Sequence, residues 1–151
     1  MVRLATIEDA QQLFLLNEEF NGEGDNSIEK MKETLLDNPQ EIVVVAEAET
    51  DAETETEGGH KLAGFVCAQL KKSFCYRECS AEITEVYVRE SCRRQGLASR
   101  MITFMEKRCM HCYGVREFEL KTGERNFEAQ ALYNALGYQK EDEILLRKIQ
   151  Q

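Results

Sequence analysis

The chain has 151 residues, a net charge of −9 and a charged fraction of 31%. This length is close to one typical domain, so we expect residues 1–151 to fold around one core. The acidic balance argues against a nucleic-acid partner, which needs a basic face, and is compatible with a cationic substrate. No apolar run approaches the roughly 18 residues that span a bilayer, and residues 1–10 show no signal-peptide core. We therefore expect a cytoplasmic protein without a membrane partner.

The first half of the chain carries strand and helix patterns in turn. "VRLAT" predicts a short strand, Thr6 and Asp9 have the spacing of a capping box, and a helix follows to about Phe20. Ser27 is placed to cap a second helix, which the only proline of the chain ends. "EIVVVAEAE" and "KLAGFVCAQLKKSF" then predict two β-branched strands.

An acidic stretch separates these two strands. Acidic residues alternate with small ones between Glu47 and Glu57, and no basic residue appears before Lys61. A solvated hairpin connection explains this pattern. A negative rim that attracts a polyamine-like substrate is the alternative.

The second half begins with "AEITEVYVRE", which predicts a strand, and residues 97–113 predict a helix that Gly114 ends. "VREFELKT" predicts a strand, "NFEAQALYNALG" a helix, and "YQKEDEILLRKI" a final strand or hairpin. The order is β-α-α-β-β-β-α-β-α-β, an α/β (α+β) fold. Its middle strands should pair antiparallel, while the later β-α-β units add parallel pairing.

Cysteine spacing gives one candidate metal motif. Cys109 and Cys112 form a CxxC with His111 between them. Both fall on the apolar side of the predicted helix, and no second ligand pair exists in the sequence. We therefore expect both cysteines to pack against apolar neighbours and no metal to be bound.

The stretch "ESCRRQGLASRM", residues 90–101, joins a predicted strand to a predicted helix. A helix N-terminus exposes about four unpaired N–H groups and roughly half a positive charge. The small side chains of Gly96, Ala98 and Ser99 let a ligand approach this backbone, and Arg93 and Arg94 add positive charge. The stretch therefore predicts a pyrophosphate site, although it contains neither a Walker loop nor a dinucleotide fingerprint.

Two motifs carry a family resemblance. Residues 93–98, Arg-Arg-Gln-Gly-Leu-Ala, resemble the [QR]-x-x-G-x-[GA] acetyl-CoA motif of the GNAT superfamily of N-acetyltransferases. Further on, "NFEAQALYNALGY" resembles the second motif of that family, N-x-x-A-x-x-L-Y-x-x-x-G-[FY]. The predicted element order also resembles the GNAT fold, a mixed central sheet with helices on both faces. Within the superfamily, residues 83–102 look most similar to aminoglycoside N-acetyltransferases and uncharacterised bacterial relatives.

The resemblance implies a single GNAT-like domain over residues 1–151 with acetyl-CoA as co-substrate and no metal. Asn126 would contact the cofactor arm, and Tyr133 would lie near the cofactor sulfur and protonate the leaving thiolate. An unperturbed tyrosine has a pKa of about 10, so it stays protonated at neutral pH and can donate. The implied cofactor-binding residues are Val86, Tyr87, Val88, Arg93, Arg94, Gln95, Gly96, Leu97, Ala98, Ser99, Asn126 and Tyr133.

The acceptor amine must lose a proton before it attacks, because a lysine-like ammonium has a pKa of about 10.4. Glu82 and Glu85 are the candidate bases, and strand alternation predicts that they lie on opposite faces. Glu82 matches the basic glutamate of the histone-acetylating branch. Glu85 matches an acidic position of the aminoglycoside branch and is slightly preferred. Lys121 replaces the glutamate base of ribosomal-protein N-terminal acetyltransferases, which argues against that role.

The implied reaction is direct transfer of the acetyl group to a primary amine of a small cationic substrate, such as an aminoglycoside or a polyamine. The first two helices and their connection would form the acceptor site. Two other functions stay open: a protein lysine acetyltransferase and a non-catalytic acyl-CoA-binding module on the same fold. A homodimer is common among similar proteins and also stays open. The candidate acceptor contacts are Glu18, Glu19, Phe20 and Glu23, with a solvated acidic turn as the alternative.

Overall fold

The computed structural model describes residues 1–49 and 61–151. They form two compact units, Met1–Lys121 and Thr122–Gln151, each described by itself below. Most of the acidic stretch lies at residues 50–60, outside the described residues, so the hairpin connection stays a prediction. Its first member, Glu47, belongs to a strand, where its carboxylate binds the Arg3 side chain at 2.7 Å.

The first unit contains a five-stranded mixed sheet in the order β1-β2-β3-β4-β5. All neighbouring strands are antiparallel except β4 and β5, which are parallel. Three α-helices accompany it. The strands are β1 (Val2–Leu4), β2 (Glu41–Glu47), β3 (Leu62–Lys71), β4 (Ser80–Val88) and β5 (Phe118–Leu120), and the helices are α1 (Ala10–Asn21), α2 (Ile28–Leu36) and α3 (Leu97–Tyr113).

Local sequence signals determine the helix boundaries as expected. Thr6 and Asp9 form the reciprocal capping box before α1. The Ser27 hydroxyl accepts a hydrogen bond from the Lys30 N–H at 3.2 Å and caps α2. Gly114 adopts a φ of 65° and ends α3, a conformation that glycine adopts at little cost.

The sheet carries helices on both faces, which confirms the expected layering. On one face, Leu13 and Leu16 of α1 pack with Val45 and Phe65, and Met31 and Leu35 of α2 pack against the same cluster. On the other face, α3 packs against β2 and β3. Its buried side chains are Leu97, Met101, Ile102, Met105 and Cys109. Two apolar layers therefore cover the centre of the sheet. Polar side chains lie on the α1–α2 face where β2 begins, at Glu41, Gln69 and Glu82.

A β-bulge in β4 changes the predicted direction of one glutamate. Ile83 lies opposite Ala68 and Glu85 opposite Cys67, so Thr84 is an extra residue without its own partner. Glu82 lies opposite Gln69, which shares a face of β3 with Cys67. The prediction that Glu82 and Glu85 lie on opposite faces is therefore wrong: the extra residue places both on the face that α1 and α2 cover.

The second unit contains α4 (Phe127–Ala135). The Asn126 side-chain oxygen accepts a hydrogen bond from the Ala129 N–H at 3.2 Å and caps the helix. The final strand or hairpin predicted for residues 138–149 is wrong, because the structure contains no strand there. A strand needs a hydrogen-bonding neighbour, and this segment has none within the described residues. Its apolar side chains are 61–84% exposed: Ile144, Leu145, Leu146 and Ile149.

Gly64 permits the close approach of β3 to the end of β4. A Cβ atom at this position would lie 2.3 Å from the carbonyl oxygen of Tyr87 and 3.0 Å from the Cα of Val88. We expect Gly64→Ala to lower the free energy of unfolding by about 1–3 kcal/mol, as overpacking does. Denaturant unfolding measures this loss of stability. Gly24→Ala is the control, because its Cβ meets nothing within 4 Å, and equal unfolding midpoints for the two variants would contradict this role.

Candidate active site

The far end of β4 has an open edge. β4 pairs with β5 only through Ala81–Ile83, although it continues to Val88. Beyond Ile83, no strand in the described part of the first unit lies on the β5 side of β4. Val86, Tyr87 and Val88 pair with β3 on one side only, and the edge on their other side can bind an extended ligand by hydrogen bonds.

The start of α3 offers unsatisfied N–H groups. Gly96 adopts a φ of 72°, and no side chain caps the helix. The first N–H to bond back belongs to Arg100, which reaches the Gly96 carbonyl at 3.1 Å. Across residues 1–49 and 61–151, no acceptor satisfies the N–H groups of Leu97, Ala98 and Ser99. These donors, together with the dipole of a 17-residue helix, favour a bound anion.

The arginines before α3 have different roles. The Arg93 Nε donates to the Val88 carbonyl at 2.9 Å, and its guanidinium lies 5.9 Å from the centre of the Tyr87 ring. The Arg93 side chain therefore links the loop before α3 to the end of β4. Arg94 is exposed and adopts a φ of 61°, a left-handed conformation that is strained in a residue other than glycine. Gln95 is exposed beside it.

The conformation of Arg94 separates the role of its backbone from that of its side chain. A left-handed residue with a side chain costs roughly 1–2 kcal/mol, so we expect Arg94→Gly to be more stable than Arg94→Ala by that amount. If backbone N–H groups are the main anion ligands, both variants should bind acetyl-CoA within about tenfold of the parent protein, a loss of no more than about 1.4 kcal/mol. Scanning calorimetry measures the stability of the two variants, and titration calorimetry measures their affinity for acetyl-CoA. A loss of several hundredfold in both variants would assign the main role to the guanidinium.

Glu82 is held by two lysines. Its carboxylate binds Lys121 and also lies 2.7 Å from the Lys71 ammonium. The hydrogen bond from Lys121, followed by that from Lys71, lowers the pKa of Glu82. A carboxylate with a lowered pKa and two bound cations is a poor proton acceptor. Glu82 is therefore the weaker of the two candidate bases.

Glu85 has the opposite environment. It is half-buried, and no cation pairs with it in the described part of the chain. Burial, followed by the nearby charge of Glu41, raises the pKa of its carboxyl. A raised pKa places a carboxylate closer to the proton affinity that a base needs near neutral pH. Of the two predicted bases, the structure favours Glu85.

The candidate acceptor residues Glu19 and Phe20 are engaged with β4. The Tyr87 hydroxyl donates to Glu19 at 3.1 Å, and the Arg89 guanidinium lies 3.0 Å from the same carboxylate. Phe20 stacks on Tyr87 with ring centroids 5.1 Å apart. Burial, followed by the hydrogen bond to Glu19, raises the pKa of Tyr87. Glu19 and Phe20 thus join the end of α1 to the end of β4, and Arg89 already balances the charge of Glu19.

Glu18 and Glu23 keep unpaired carboxylates. Glu18 is half-buried near the end of α1, and Glu23 is exposed in the turn that follows. Neither has an ion-pair partner among the residues that the structure describes. Of the four predicted acceptor contacts, these two retain a net negative charge that a cationic group can meet.

In the second unit, Tyr133 is half-buried in α4, and its ring lies 6.2 Å from that of Tyr138 in an edge-to-face arrangement. Burial raises the pKa of the Tyr133 hydroxyl, so it stays protonated at neutral pH. The oxygen of the Asn126 side chain is used in capping α4, which leaves its amide NH₂ as the group that can donate to a ligand.

Sequence reasoning missed Glu41, the first residue of β2. Glu41 is half-buried, and its carboxylate accepts hydrogen bonds from Gln69 Nε2 at 3.1 Å and Asn38 Nδ2 at 3.2 Å. Burial raises the pKa of its carboxyl. No motif marks this residue. Only the strand register, which sequence patterns do not determine, relates it to Glu85.

The CxxC motif shows no metal-binding geometry. Cys109 is buried in α3 as expected, whereas Cys112 is exposed, so the expectation that both pack in the core is wrong for Cys112, which faces solvent. In residues 1–49 and 61–151, no group of three or more His, Cys, Asp or Glu side chains is placed to hold a metal ion. Across the same residues, no helix is long and apolar enough to cross a membrane.

A mixed sheet whose fourth strand has an open edge beside an uncapped helix start is the arrangement expected of an acyl-CoA-dependent transferase. The chain matches the acetyltransferase (GNAT) family over residues 7–138, and it therefore belongs to that family. The expectation of an acetyl-CoA-dependent N-acetyltransferase is confirmed at the level of the family. No curated protein sequence matches the chain.

Solved structures share the whole fold. The aminoglycoside N-acetyltransferase AAC(6')-Iy, in complex with a bisubstrate analogue, superposes with a TM-score of 0.81 at 17% identity and covers 100% of this chain and 98% of its own. The aminoglycoside acetyltransferase meta-AAC0020 from an uncultured soil metagenomic sample gives 0.80 at 18% identity, with 100% and 95% covered. A ribosomal-protein-alanine N-acetyltransferase from Brucella melitensis gives 0.73 at 14% identity, with 99% and 98% covered. At these low sequence identities, the structural similarity shows a shared fold, not a shared substrate.

Proposed function

We propose that the protein transfers the acetyl group of acetyl-CoA directly to a primary amine of a small cationic substrate of the aminoglycoside or polyamine type. The environment of Glu85 carries this proposal. It is a half-buried carboxylate with a raised pKa and no cationic partner in the described part of the chain, on the sheet face that α1 and α2 cover. Solved neighbours support the substrate class, since meta-AAC0020 was crystallised with sisomicin.

The residues of the first unit fit a cofactor with a pyrophosphate and an extended arm. The unsatisfied N–H groups of Leu97, Ala98 and Ser99 would bind the pyrophosphate, and Gly96 lets it approach the backbone. The open edge of β4 at Val86–Val88 would bind the arm. Bound there, acetyl-CoA would supply an activated acetyl thioester. An AAC(6')-Iy structure contains CoA, which is consistent with this fit.

Two side chains would move the protons. Glu85 would accept the proton that the acceptor ammonium must lose, directly or through water, because it is the candidate base whose pKa is raised. Tyr133 would donate a proton to the departing thiolate, because burial keeps its hydroxyl protonated. The amide of Asn126 would contact the cofactor arm. Glu82, neutralised by two lysines, would hold β4 and β5 in place.

Acceptor selection would depend on negative charge. The net charge of −9 draws cations toward the molecule, and Glu18 and Glu23 offer carboxylates without ion-pair partners in the described residues. Glu19 and Phe20 would position the end of α1 rather than bind the acceptor. The lysine pairing of Glu82 argues against a protein lysine acetyltransferase that uses this residue as base.

We also propose that both units belong to one catalytic domain that forms a homodimer. The family match runs across the boundary at residue 121, which supports one domain.

The four exposed aliphatic side chains of residues 139–151 form an apolar segment that a second copy would cover in the homodimer. Light scattering would show two copies, and a monomer at all concentrations would contradict the dimer.

A panel of acceptors tests the function. Aminoglycosides, polyamines, free amino acids and a lysine-containing peptide would each be mixed with the protein and acetyl-CoA, with free thiol as the readout and the acetylated product confirmed by mass spectrometry. We expect thiol release with a polycationic small amine and none above background with a neutral amino acid. Binding of acetyl-CoA without turnover on any member would favour the non-catalytic module instead, and turnover on the peptide alone would favour the protein-acetylating alternative.

A further inference from the structure

Polar side chains of three neighbouring strands share the sheet face that α1 and α2 cover. Glu41 lies opposite Gln69, and Val43 lies opposite Cys67, which in turn lies opposite Glu85. Glu41 and Glu85 are therefore on one face, on the two strands that flank β3. Two strand spacings and an offset of two residues along the strands separate their backbones by about 12 Å, and Cys67 and Gln69 of β3 lie between them on this face. Glu41 and Glu85 lie on neighbouring rows of the same face, so their long side chains can extend toward each other across β3.

The bulge at Thr84 creates this arrangement. Without the extra residue, strand alternation would turn Glu85 to the opposite face, where α3 packs. With it, Glu85 shares the face with Glu41 and with Glu82. Glu82 is neutralised by Lys71 and Lys121, whereas neither Glu41 nor Glu85 has a cationic partner in the described residues. The unbalanced charge of this face is thus concentrated on Glu41 and Glu85.

Hydrogen bonds distinguish the two carboxylates. Glu41 accepts one amide hydrogen bond on each oxygen, from Gln69 Nε2 and from Asn38 Nδ2. Glu85 has no side-chain donor among the described residues. Donors to a carboxylate favour its ionised form, and two like charges in a partly buried space oppose each other. Glu41 is therefore the member that ionises first, and Glu85 the member that holds its proton to higher pH.

We propose that Glu41 is a positioning residue for the acetyl-transfer reaction: its carboxylate, fixed by Gln69 and Asn38, acts through Glu85 and makes Glu85 the stronger proton acceptor of this sheet face. The proposal rests on the proposed function, because Glu85 serves there as the base. Glu41 itself is not a proton acceptor for the substrate. The direction of the pKa shift at Glu85, which burial and Glu41 both raise, agrees with this geometry.

Apart from Glu18 of α1, which has no ion-pair partner in the described residues, the other titratable groups around Glu85 are paired, exposed or neutral. Burial, followed by the charges of Glu41 and Glu85, raises the pKa of the Cys67 thiol, so it stays neutral. All the charged side chains of α2 are exposed. The remaining titratable and charged groups on the packed elements are Glu18 and Glu19 of α1, Lys71 of β3, Glu82 and Tyr87 of β4, and Glu119 of β5, of which Glu19 pairs with Arg89 and Glu82 and Glu119 pair with Lys71.

Carboxyl-carbon NMR of glutamate-labelled protein tests this inference without any acceptor. The Glu85 resonance would be assigned by its loss in Glu85→Gln and followed against pH. We expect Glu41→Gln to move the Glu85 midpoint to lower pH, because a negative neighbour is lost. Glu33→Gln removes the same charge from an exposed position on α2 and should leave the midpoint unchanged. An unmoved midpoint in folded Glu41→Gln, or an equal shift in Glu33→Gln, would overturn the proposal.

Gln69→Met provides a second variant that keeps both carboxylates. Loss of the amide donor should raise the Glu41 midpoint and lower that of Glu85, and unchanged midpoints would count against the role of the hydrogen bond. On an active acceptor, the rising limb of kcat/KM with pH should move to lower pH in Glu41→Gln, with a several-fold higher relative rate below the parent midpoint. If every acceptor fails while the NMR midpoints shift as expected, the proposed function fails but the coupling of Glu41 to Glu85 stands.

Discussion

Tyr133→Phe is expected to lower kcat by about 10²–10⁴-fold, the usual contribution of a positioned general acid. The change removes only the hydroxyl, whose proton the departing thiolate would take, and keeps the half-buried ring of α4. Acetyl-CoA affinity should therefore change by less than about threefold, or roughly 0.6 kcal/mol. Steady-state kinetics on the best acceptor, with calorimetry for the cofactor, separates the two effects.

Tyr138→Phe is the matched control for this variant. Tyr138 lies edge-to-face with Tyr133 in the same unit, and the family motif admits phenylalanine at this position. We expect it to retain most of the parent turnover. Equal turnover in Tyr133→Phe and the parent protein would remove Tyr133 from the mechanism and assign the thiolate proton to water.

Glu85→Gln is expected to lower kcat/KM by about 10²–10⁴-fold at neutral pH, because the acceptor ammonium loses its proton acceptor. The loss should shrink as pH rises toward about 10, where the amine itself deprotonates. In the parent protein, activity should rise with pH through the raised pKa of Glu85 and then level off. A full pH–rate profile of both proteins measures this difference in shape.

Glu82→Gln separates the two candidate bases. Its carboxylate is held by Lys71 and Lys121, so its loss should disturb the β4–β5 pairing and lower stability rather than change the shape of the pH profile. Equal, pH-independent losses of activity in Glu82→Gln and Glu85→Gln would contradict both base assignments. A selective change of the pH profile in Glu82→Gln would transfer the role to that residue.

The start of α3 could be predicted from the sequence because its signals are contiguous. Gly96, the small residues after it and the strand before it are all read along one short segment. The same holds for the capping box at Thr6 and the helix end at Gly114, which depend on neighbours within a few residues. Such local features need no knowledge of how strands pair.

The sheet face around Glu85 could not be predicted in the same way. A single extra residue, Thr84, reverses the side on which Glu85 lies, and no sequence signal marks this bulge. Glu41 joins the site through its pairing with Gln69 of β3, which lies 28 positions further along the chain. The final strand failed for a related reason: "EILLRKI" has the composition of a strand, but pairing needs a neighbour that composition does not supply.

A crystal structure with bound CoA and an unreactive amine acceptor tests the central claim most directly. We expect the pyrophosphate oxygens to accept hydrogen bonds from the N–H groups of Leu97, Ala98 and Ser99, and the cofactor arm to lie along β4 at Val86–Val88. The acceptor nitrogen should face Glu85 directly or through one water. A pyrophosphate bound away from the start of α3, or an acceptor nitrogen on the opposite face of β4 from Glu85, would contradict the account.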